Sequence, residues 1–212
     1  MKYWKLLVVL LGLWACQKEE AWRENLIGTA PVGIPSQGFA SCADASYDPW
    51  DTSEYILPYP VGTSYIIGLG PCGGSYHSAG QPDMFAIDFN MPIGSPIHAA
   101  RGGRVVYVEE RGVDGGFPNN LVSVQHTDGT YAHYAHLTQN GAVVRVGQAV
   151  AAGALLGYSG NTGLAGYPHL HFVLTAPGSM GYPYTSLPVT FRNTTPNPKS
   201  LESGMRYEAF PP

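Results

Sequence analysis

Short apolar runs separated by turn residues are the feature that most constrains the fold of this chain. From residue 57 onward, runs of five to seven residues recur between clusters of Gly, Pro and Asn. Runs of this length and setting predict β-strands. The eight candidates are Ser64–Leu69, Met84–Asn90, Arg104–Glu109, Asn120–His126, Thr130–His136, Ala142–Val146, Ala154–Tyr158 and His169–Thr175. No segment has a convincing amphipathic helical period. The pattern therefore predicts an all-β domain, as an antiparallel two-sheet sandwich or an open barrel.

Composition supports this fold class and argues against nucleic-acid binding. A chain of 212 residues corresponds to one domain. Its 27 Gly, 18 Pro and only 12% charged residues suit a loop-rich β domain. The formal net charge is −4, and no run of Lys and Arg is present to follow a phosphate backbone.

A pair of histidines lies at His169-Leu170-His171, after the turn Gly160-Asn161-Thr162-Gly163 and before an apolar stretch. Side chains two apart on a strand point to the same face, so both imidazoles project into one site. Such a pair suits a divalent metal, although it also occurs as a surface or hydrogen-bonded pair. The remaining chain offers four partners: His77, Asp88, His133 and His136.

Several short motifs follow one another in a fixed order between residues 77 and 175. They are Ala86-Ile87-Asp88-Phe89, Pro92-Ile93-Gly94-Ser95-Pro96-Ile97, Ala99-Ala100, Gly103-Arg104-Val105-Val106, Val122-Ser123-Val124-Gln125-His126-Thr127-Asp128-Gly129, Tyr134-Ala135-His136-Leu137, Val146-Gly147-Gln148, Gly160-Asn161-Thr162-Gly163 and Pro168-His169-Leu170-His171-Phe172. In this order and spacing they resemble the lysostaphin/LytM family of zinc metallopeptidases. The resemblance covers about 100 of the 212 residues.

The resemblance implies a role for each site residue. One zinc ion is expected on His77, Asp88 and His171, and His136 and His169 are expected to be catalytic rather than ligands. Two neutral imidazoles and one carboxylate leave the site a net charge near +1, which favours ionisation of water at the open coordination position. A neutral imidazole nearby can then accept the proton.

One departure from the family pattern concerns the first ligand. The common pattern places it four residues before the Asp, where this chain has Met84, a poor zinc ligand. The nearest upstream histidine is His77, eleven residues before Asp88. Gly80 and Pro82 can bend the intervening loop so that His77 returns to the metal.

The function implied by the resemblance is hydrolysis of peptide bonds in peptidoglycan stems or cross-bridges by metal-activated water. The alternative is a non-catalytic LytM-like binding module that regulates another wall hydrolase, as in members of this fold that have lost zinc ligands. A metal oxygenase of the cupin type also uses two histidines on a strand, but it generally adds a downstream Glu. No acidic residue follows His171 until Glu202.

The N-terminus predicts export. Lys2 and Lys5 precede an apolar run from Leu6 to Ala15, which is too short to span a bilayer. The residues Leu13-Trp14-Ala15-Cys16 resemble a lipoprotein cleavage box, so we expect a lipid anchor on Cys16, in the periplasm or on the cell surface. Ordinary cleavage that leaves a free Cys16 is the competing interpretation.

The expected organisation has four parts. They are a signal peptide with a lipoprotein box at 1–16, a tether and irregular extension at 17–56, a zinc peptidase domain at 57–176 and a C-terminal extension at 177–212. In the last part, Leu187–Arg192 and Met205–Phe210 are candidates for a terminal hairpin. The expected partner is the peptide of peptidoglycan, and the protein is expected to be a monomer.

The remaining cysteines and histidines have simpler interpretations. With Cys16 used as an anchor, Cys42 and Cys72 form an even pair, either bonded or as two separate buried thiols. His133, three residues before His136, is expected to face the other way, at the surface or behind the site. His126 and His98 are expected to be structural, and Tyr76 is a candidate for substrate contact.

Overall fold

The structure is a computed structural model, and it describes residues 41–212. This part of the chain contains two short 3₁₀ turns, Cys42–Asp44 and Trp50–Thr52, and no α-helix. Its strands are β1 (Ser64–Leu69), β2 (Ile87–Phe89), β3 (Pro96–His98), β4 (Gly103–Glu109), β5 (Leu121–Gln125), β6 (Tyr131–Ala135), β7 (Leu137–Ala142), β8 (Ala149–Val150), β9 (Leu155–Ser159), β10 (Leu170–Thr175), β11 (Ser186–Leu187) and β12 (Arg206–Glu208). The predicted all-β class is confirmed.

The strands form two antiparallel sheets. The larger sheet has the order β12-β1-β2-β10-β6-β5-β4-β8, and β11 pairs with the end of β10. The smaller sheet has the order β3-β9-β7. One hydrophobic cluster contains side chains from both sheets, among them Phe172 on β10 and Leu156 on β9. The predicted two-sheet arrangement is therefore also confirmed.

Seven of the eight predicted strands coincide with observed ones, and Ala142–Val146 is the exception. β7 ends at Ala142, where its pairing with β9 has an irregular register. Val143 and Val146 are 49% and 60% exposed, and of the three valines in this run only Val144 is part of the core. The short strands β3 and β8 were not among the eight candidates, because two or three residues carry too little alternation of apolar and polar side chains to detect.

The predicted hairpin between Leu187–Arg192 and Met205–Phe210 is wrong. β11 pairs with β10, and β12 pairs with β1 at the outer edge of the larger sheet. A sheet edge presents unpaired backbone N–H and C=O groups, and β12 satisfies those of β1. The C-terminal residues therefore complete the larger sheet.

A disulfide and side-chain contacts hold the segment before β1 against the domain. Cys42 and Cys72 are bonded, which decides between the two alternatives for this pair. Leu57 is fully buried, and its N–H donates to Asn193 Oδ1 at 2.7 Å. Ser53 Oγ donates to the carbonyl of Thr190. The end of the predicted extension is thus packed on residues from the C-terminal part of the chain.

The predicted signal peptide and lipoprotein box at 1–16, and most of the predicted tether, lie outside the described residues. Within 41–212, no helix has the length and hydropathy required to cross a membrane.

Candidate metal centre

Two neighbouring strands position the central residues of the site. Asp88 on β2 is directly opposite His171 on β10. Ile87 and Phe89 on either side of Asp88 are fully buried in the core. Because side chains alternate along a strand, Asp88 must project from the opposite face of the sheet, beside His171. Alternation thus puts both side chains on one face of the sheet, and the pairing of β2 with β10 brings them together.

His77 reaches the same place from the loop between β1 and β2. Its Nε2 lies 3.6 Å from Asp88 Oδ1, and His171 Nδ1 lies 2.9 Å from the same oxygen. One ligand atom from each of these three residues lies within 4.8 Å of the others. The turn is closed by the His77 N–H, which donates to the Gly74 carbonyl at 2.9 Å. The three predicted ligands are thus brought together.

This donor set fits a zinc ion. Bonds of about 2.0–2.2 Å in tetrahedral geometry place ligand atoms about 3.3–3.6 Å apart. The separation of 3.6 Å from His77 Nε2 to Asp88 Oδ1 lies in that range, and the 2.9 Å from His171 Nδ1 is somewhat shorter. Two imidazoles and one carboxylate are ligands that zinc accepts in catalytic sites, where a fourth position stays open. The residues present therefore suit such an ion.

Met84 occupies the position where the family pattern has its first ligand, and its side chain takes no part in the cluster. It is 2% exposed, and its sulfur accepts a hydrogen bond from the Gly80 N–H at 3.3 Å. The Met84 carbonyl accepts from the Cys72 N–H. Met84 thus holds the loop in shape while His77 supplies the imidazole.

His136 and His169 form a second group with His171, again with one atom from each within 4.8 Å of the others. His136 Nδ1 donates to the Thr162 carbonyl at 2.6 Å, and His169 Nδ1 donates to the Tyr167 carbonyl at 2.7 Å. A proton held at Nδ1 leaves the lone pair on Nε2. His169 Nε2 lies 3.7 Å from Asp88 Oδ1, so this lone pair faces the cluster.

The backbone at His136 has a left-handed conformation, with φ of +65°. A non-glycine residue in this region is uncommon and needs support from its surroundings. Here Asn119 Oδ1 accepts the His136 N–H at 3.0 Å. The turn takes His136 out of the alternation of β6, which ends one residue earlier.

Burial and neighbouring charge set the protonation of these rings. Burial, then the charges of His171 and His169, lower the pKa of His136 to about 3. Burial also lowers the pKa of His169 and of His77, although Asp88 opposes it in both. These rings are therefore neutral near pH 7, as a metal ligand or a general base must be.

His171 differs from the other three rings. Burial lowers its pKa, but hydrogen bonds with Asp83 and Asp88 outweigh burial and raise the pKa to about 10. A metal at Nδ1 must displace a proton from this ring, so metal uptake competes with protonation.

His133 occupies one of its two expected positions, behind the site rather than at the surface. It is opposite Val173 on β10, so it shares the sheet face of Asp88 and His171. The prediction that it faces away from His136 failed because His136 is not part of the strand. His133 is 4% exposed, which excludes a surface position.

The other residues with simple interpretations behave more as expected. His126 donates to the Gly102 carbonyl, in keeping with a structural role, and His98 is a half-buried residue of β3. Tyr76 is 66% exposed.

Asp83, Tyr184 and Asn119 are contacts of the site that sequence reasoning missed. Asp83 Oδ1 lies 3.2 Å from His171 Nε2 and accepts a hydrogen bond from the Tyr184 hydroxyl. The only signal in the sequence was an acidic residue five positions before Asp88. Tyr184 carried none, because it lies in a Pro-rich segment far from the motifs.

Comparisons with known proteins identify the family. Peptidase family M23 matches residues 84–182, a range that begins within the loop between β1 and β2 and after His77. Lysostaphin of Staphylococcus simulans is 34% identical over 116 residues, which are 54% of this chain and 19% of that protein. Peptidoglycan DD-endopeptidase ShyA of Vibrio cholerae is 38% identical over 91 residues, 43% of this chain and 20% of that protein.

A solved structure of the antimicrobial peptidase lysostaphin from Staphylococcus simulans aligns at 29% identity with a TM-score of 0.48. The alignment covers 64% of this chain and 51% of that one. The match to this chain spans about a fifth of the length of lysostaphin and of ShyA, the two curated relatives described above. Residues 84–182 of this chain belong to peptidase family M23.

Proposed function

We propose that this protein is a zinc-dependent endopeptidase that hydrolyses peptide bonds in peptidoglycan stems or cross-bridges. The observation that carries the proposal is the convergence of His77, Asp88 and His171 within 4.8 Å of one another, beside two further buried imidazoles. Similarity to proteins named as a glycyl-glycine endopeptidase and a peptidoglycan DD-endopeptidase supports the choice of substrate.

The proposed mechanism assigns a task to each side chain. His77, Asp88 and His171 would hold the ion. When bound, zinc supplies a Lewis acid that activates water and polarises the substrate carbonyl near neutral pH. His136 and His169 present neutral Nε2 atoms, because each holds its proton at Nδ1 against a backbone carbonyl. Either Nε2 can accept a proton from water and then deliver it to the leaving amine nitrogen.

Location is part of the same proposal. Export and a lipid anchor on Cys16 would hold a monomeric enzyme beside the wall, and residues 1–16 support this through their basic, apolar and cysteine-box segments. Cell fractionation tests it: the protein should be in the membrane fraction, and Cys16→Ser should release it. An unchanged distribution would count against the anchor.

The test of activity is a digest of intact peptidoglycan by the zinc-loaded protein, with released fragments identified by mass spectrometry. His169→Ala should abolish the release, because it removes a buried Nε2 from the site. His98→Ala, which removes an imidazole on β3 outside the cluster, should leave the products unchanged. Binding of peptidoglycan without new peptide termini would refute the peptidase and favour the non-catalytic binding module.

A further inference from the structure

Each of the four imidazoles at the centre has a ring nitrogen against an oxygen atom, and the kind of oxygen differs between His171 and the other three rings. His77, His136 and His169 each have Nδ1 against a backbone carbonyl, that of Gly70, Thr162 or Tyr167. His171 is reversed: Nδ1 faces Asp88 Oδ1 at 2.9 Å, and Nε2 faces Asp83 Oδ1 at 3.2 Å. A carboxylate thus replaces the backbone carbonyl behind this one ring.

Asp83 is itself held in place. Its Oδ1 accepts the Tyr184 hydroxyl, and the Tyr184 ring stacks on His133 with a centroid separation of 5.5 Å and an interplanar angle of 8°. His133 is fixed in turn by Ser123 Oγ at 2.8 Å and Thr175 Oγ1 at 3.1 Å. These contacts connect the Asp83 carboxylate to side chains on strands β5, β6 and β10, so its position does not depend on the loop alone.

The geometry argues against Asp83 as a ligand of the same ion. The two nitrogens of an imidazole point to opposite sides of the ring, and His171 directs Nδ1 to Asp88 and His77. A carboxylate that contacts Nε2 therefore lies behind the ring. A carboxylate in this position accepts the ring N–H, fixes which nitrogen is free for the metal and makes that nitrogen a better donor.

We propose that Asp83 is a positioning residue that orients His171 for the metal through Nε2, and that Tyr184 orients Asp83. The inference rests on the proposed metal site, but it concerns affinity for zinc rather than cleavage. Removal of such a contact behind a ligand typically lowers metal affinity by about 10- to 100-fold.

The test measures the zinc dissociation constant of the full chain by competition with a chromophoric chelator at pH 7.5. Asp83→Ala should weaken zinc binding by about 10- to 100-fold, and the isosteric Asp83→Asn by a smaller factor because it removes only the charge. Tyr184→Phe keeps the ring and should cause a smaller loss. The matched controls, Asp51→Asn and Tyr182→Phe, alter an exposed carboxylate and an exposed hydroxyl, and should bind zinc as the wild type does.

A second readout separates orientation from a general loss of structure. Two-bond ¹H–¹⁵N spectra of the zinc-loaded protein should show the His171 proton on Nε2, and that signal should shift or broaden in Asp83→Ala while far-UV circular dichroism stays unchanged. Zinc affinity within twofold of wild type in both Asp83 variants would overturn the inference. Failure of the wild type to bind zinc at all would instead overturn the proposed function.

Discussion

Removal of the disulfide between Cys42 and Cys72 should destabilise the protein by an amount set by the closed loop. The bond joins residues 30 apart and links the first 3₁₀ turn to the loop that carries His77. In the chain-entropy account, a loop of this length removes about 12 cal/mol/K from the unfolded chain, which is about 3.6 kcal/mol at 25 °C. The Cys42→Ser/Cys72→Ser variant should lose this contribution.

The folded state should keep its contacts without the bond. The Cys72 N–H still donates to the Met84 carbonyl at 2.7 Å, and Leu57 remains buried with its N–H on Asn193. The loss should therefore come from a less constrained unfolded chain. With a urea slope of about 2–3 kcal/mol/M, the unfolding midpoint should fall by about 1.2–1.8 M.

The assay is urea unfolding followed by far-UV circular dichroism with a zinc chelator present, because bound metal would add its own stabilisation. Wild type treated with a phosphine reductant should reproduce the shift, and Cys16→Ser, which keeps the bonded pair, should not shift. A midpoint within about 0.3 M of wild type in the double variant would refute the argument, since that shift corresponds to less than about 1 kcal/mol.

Three further predictions concern stability. Phe172→Ala, at a fully buried position of β10, should cost about 3–5 kcal/mol in urea unfolding, and a cost below about 1 kcal/mol would contradict the packing described for the core. Gly160→Ala places a Cβ 2.3 Å from Thr138 N and should cost at least about 2 kcal/mol, whereas Gly166→Ala enters open space and should stay within about 0.5 kcal/mol of wild type. Burial, with the charge of His171, lowers the pKa of His133 to about 4. As the pH falls, the unfolded chain takes up a proton on His133 at a higher pH than the folded protein does. The free energy of unfolding should therefore keep its full value above about pH 6.5 and fall by on the order of 3 kcal/mol towards pH 4. Unfolding free energies that stay flat between pH 7 and 4, or an NMR titration of the His133 ring near its ordinary pKa, would contradict this.

Sequence reasoning could find the parts of the site that follow from alternation along strands. Asp88 lies between two apolar residues, and His171 lies between Leu170 and Phe172, so each must face away from the core. The motif order then indicated which histidines belong together. These features are local, and the register of β2 with β10 preserves them.

The remaining features depend on contacts between distant parts of the chain. Asp83 and His171 are 88 residues apart, and Tyr184 joins them from a segment without a regular period. The left-handed backbone at His136 turns this residue out of the alternation of β6, so its orientation relative to His133 could not be predicted, and the supporting Asn119 lies 17 residues earlier. The strands β11 and β12 contain two and three residues, so tertiary pairing rather than local preference decides their partners.

A zinc-edge anomalous diffraction map of the zinc-loaded protein would show which residues hold the ion. The described residues offer two groups of possible ligands that share His171: one with His77 and Asp88, the other with His136 and His169. We expect one peak at about 2.0–2.2 Å from His77 Nε2, Asp88 Oδ1 and His171 Nδ1, with no bond from it to His136 or His169. A peak coordinated by His136 and His169, or one that His77 does not reach, would contradict it.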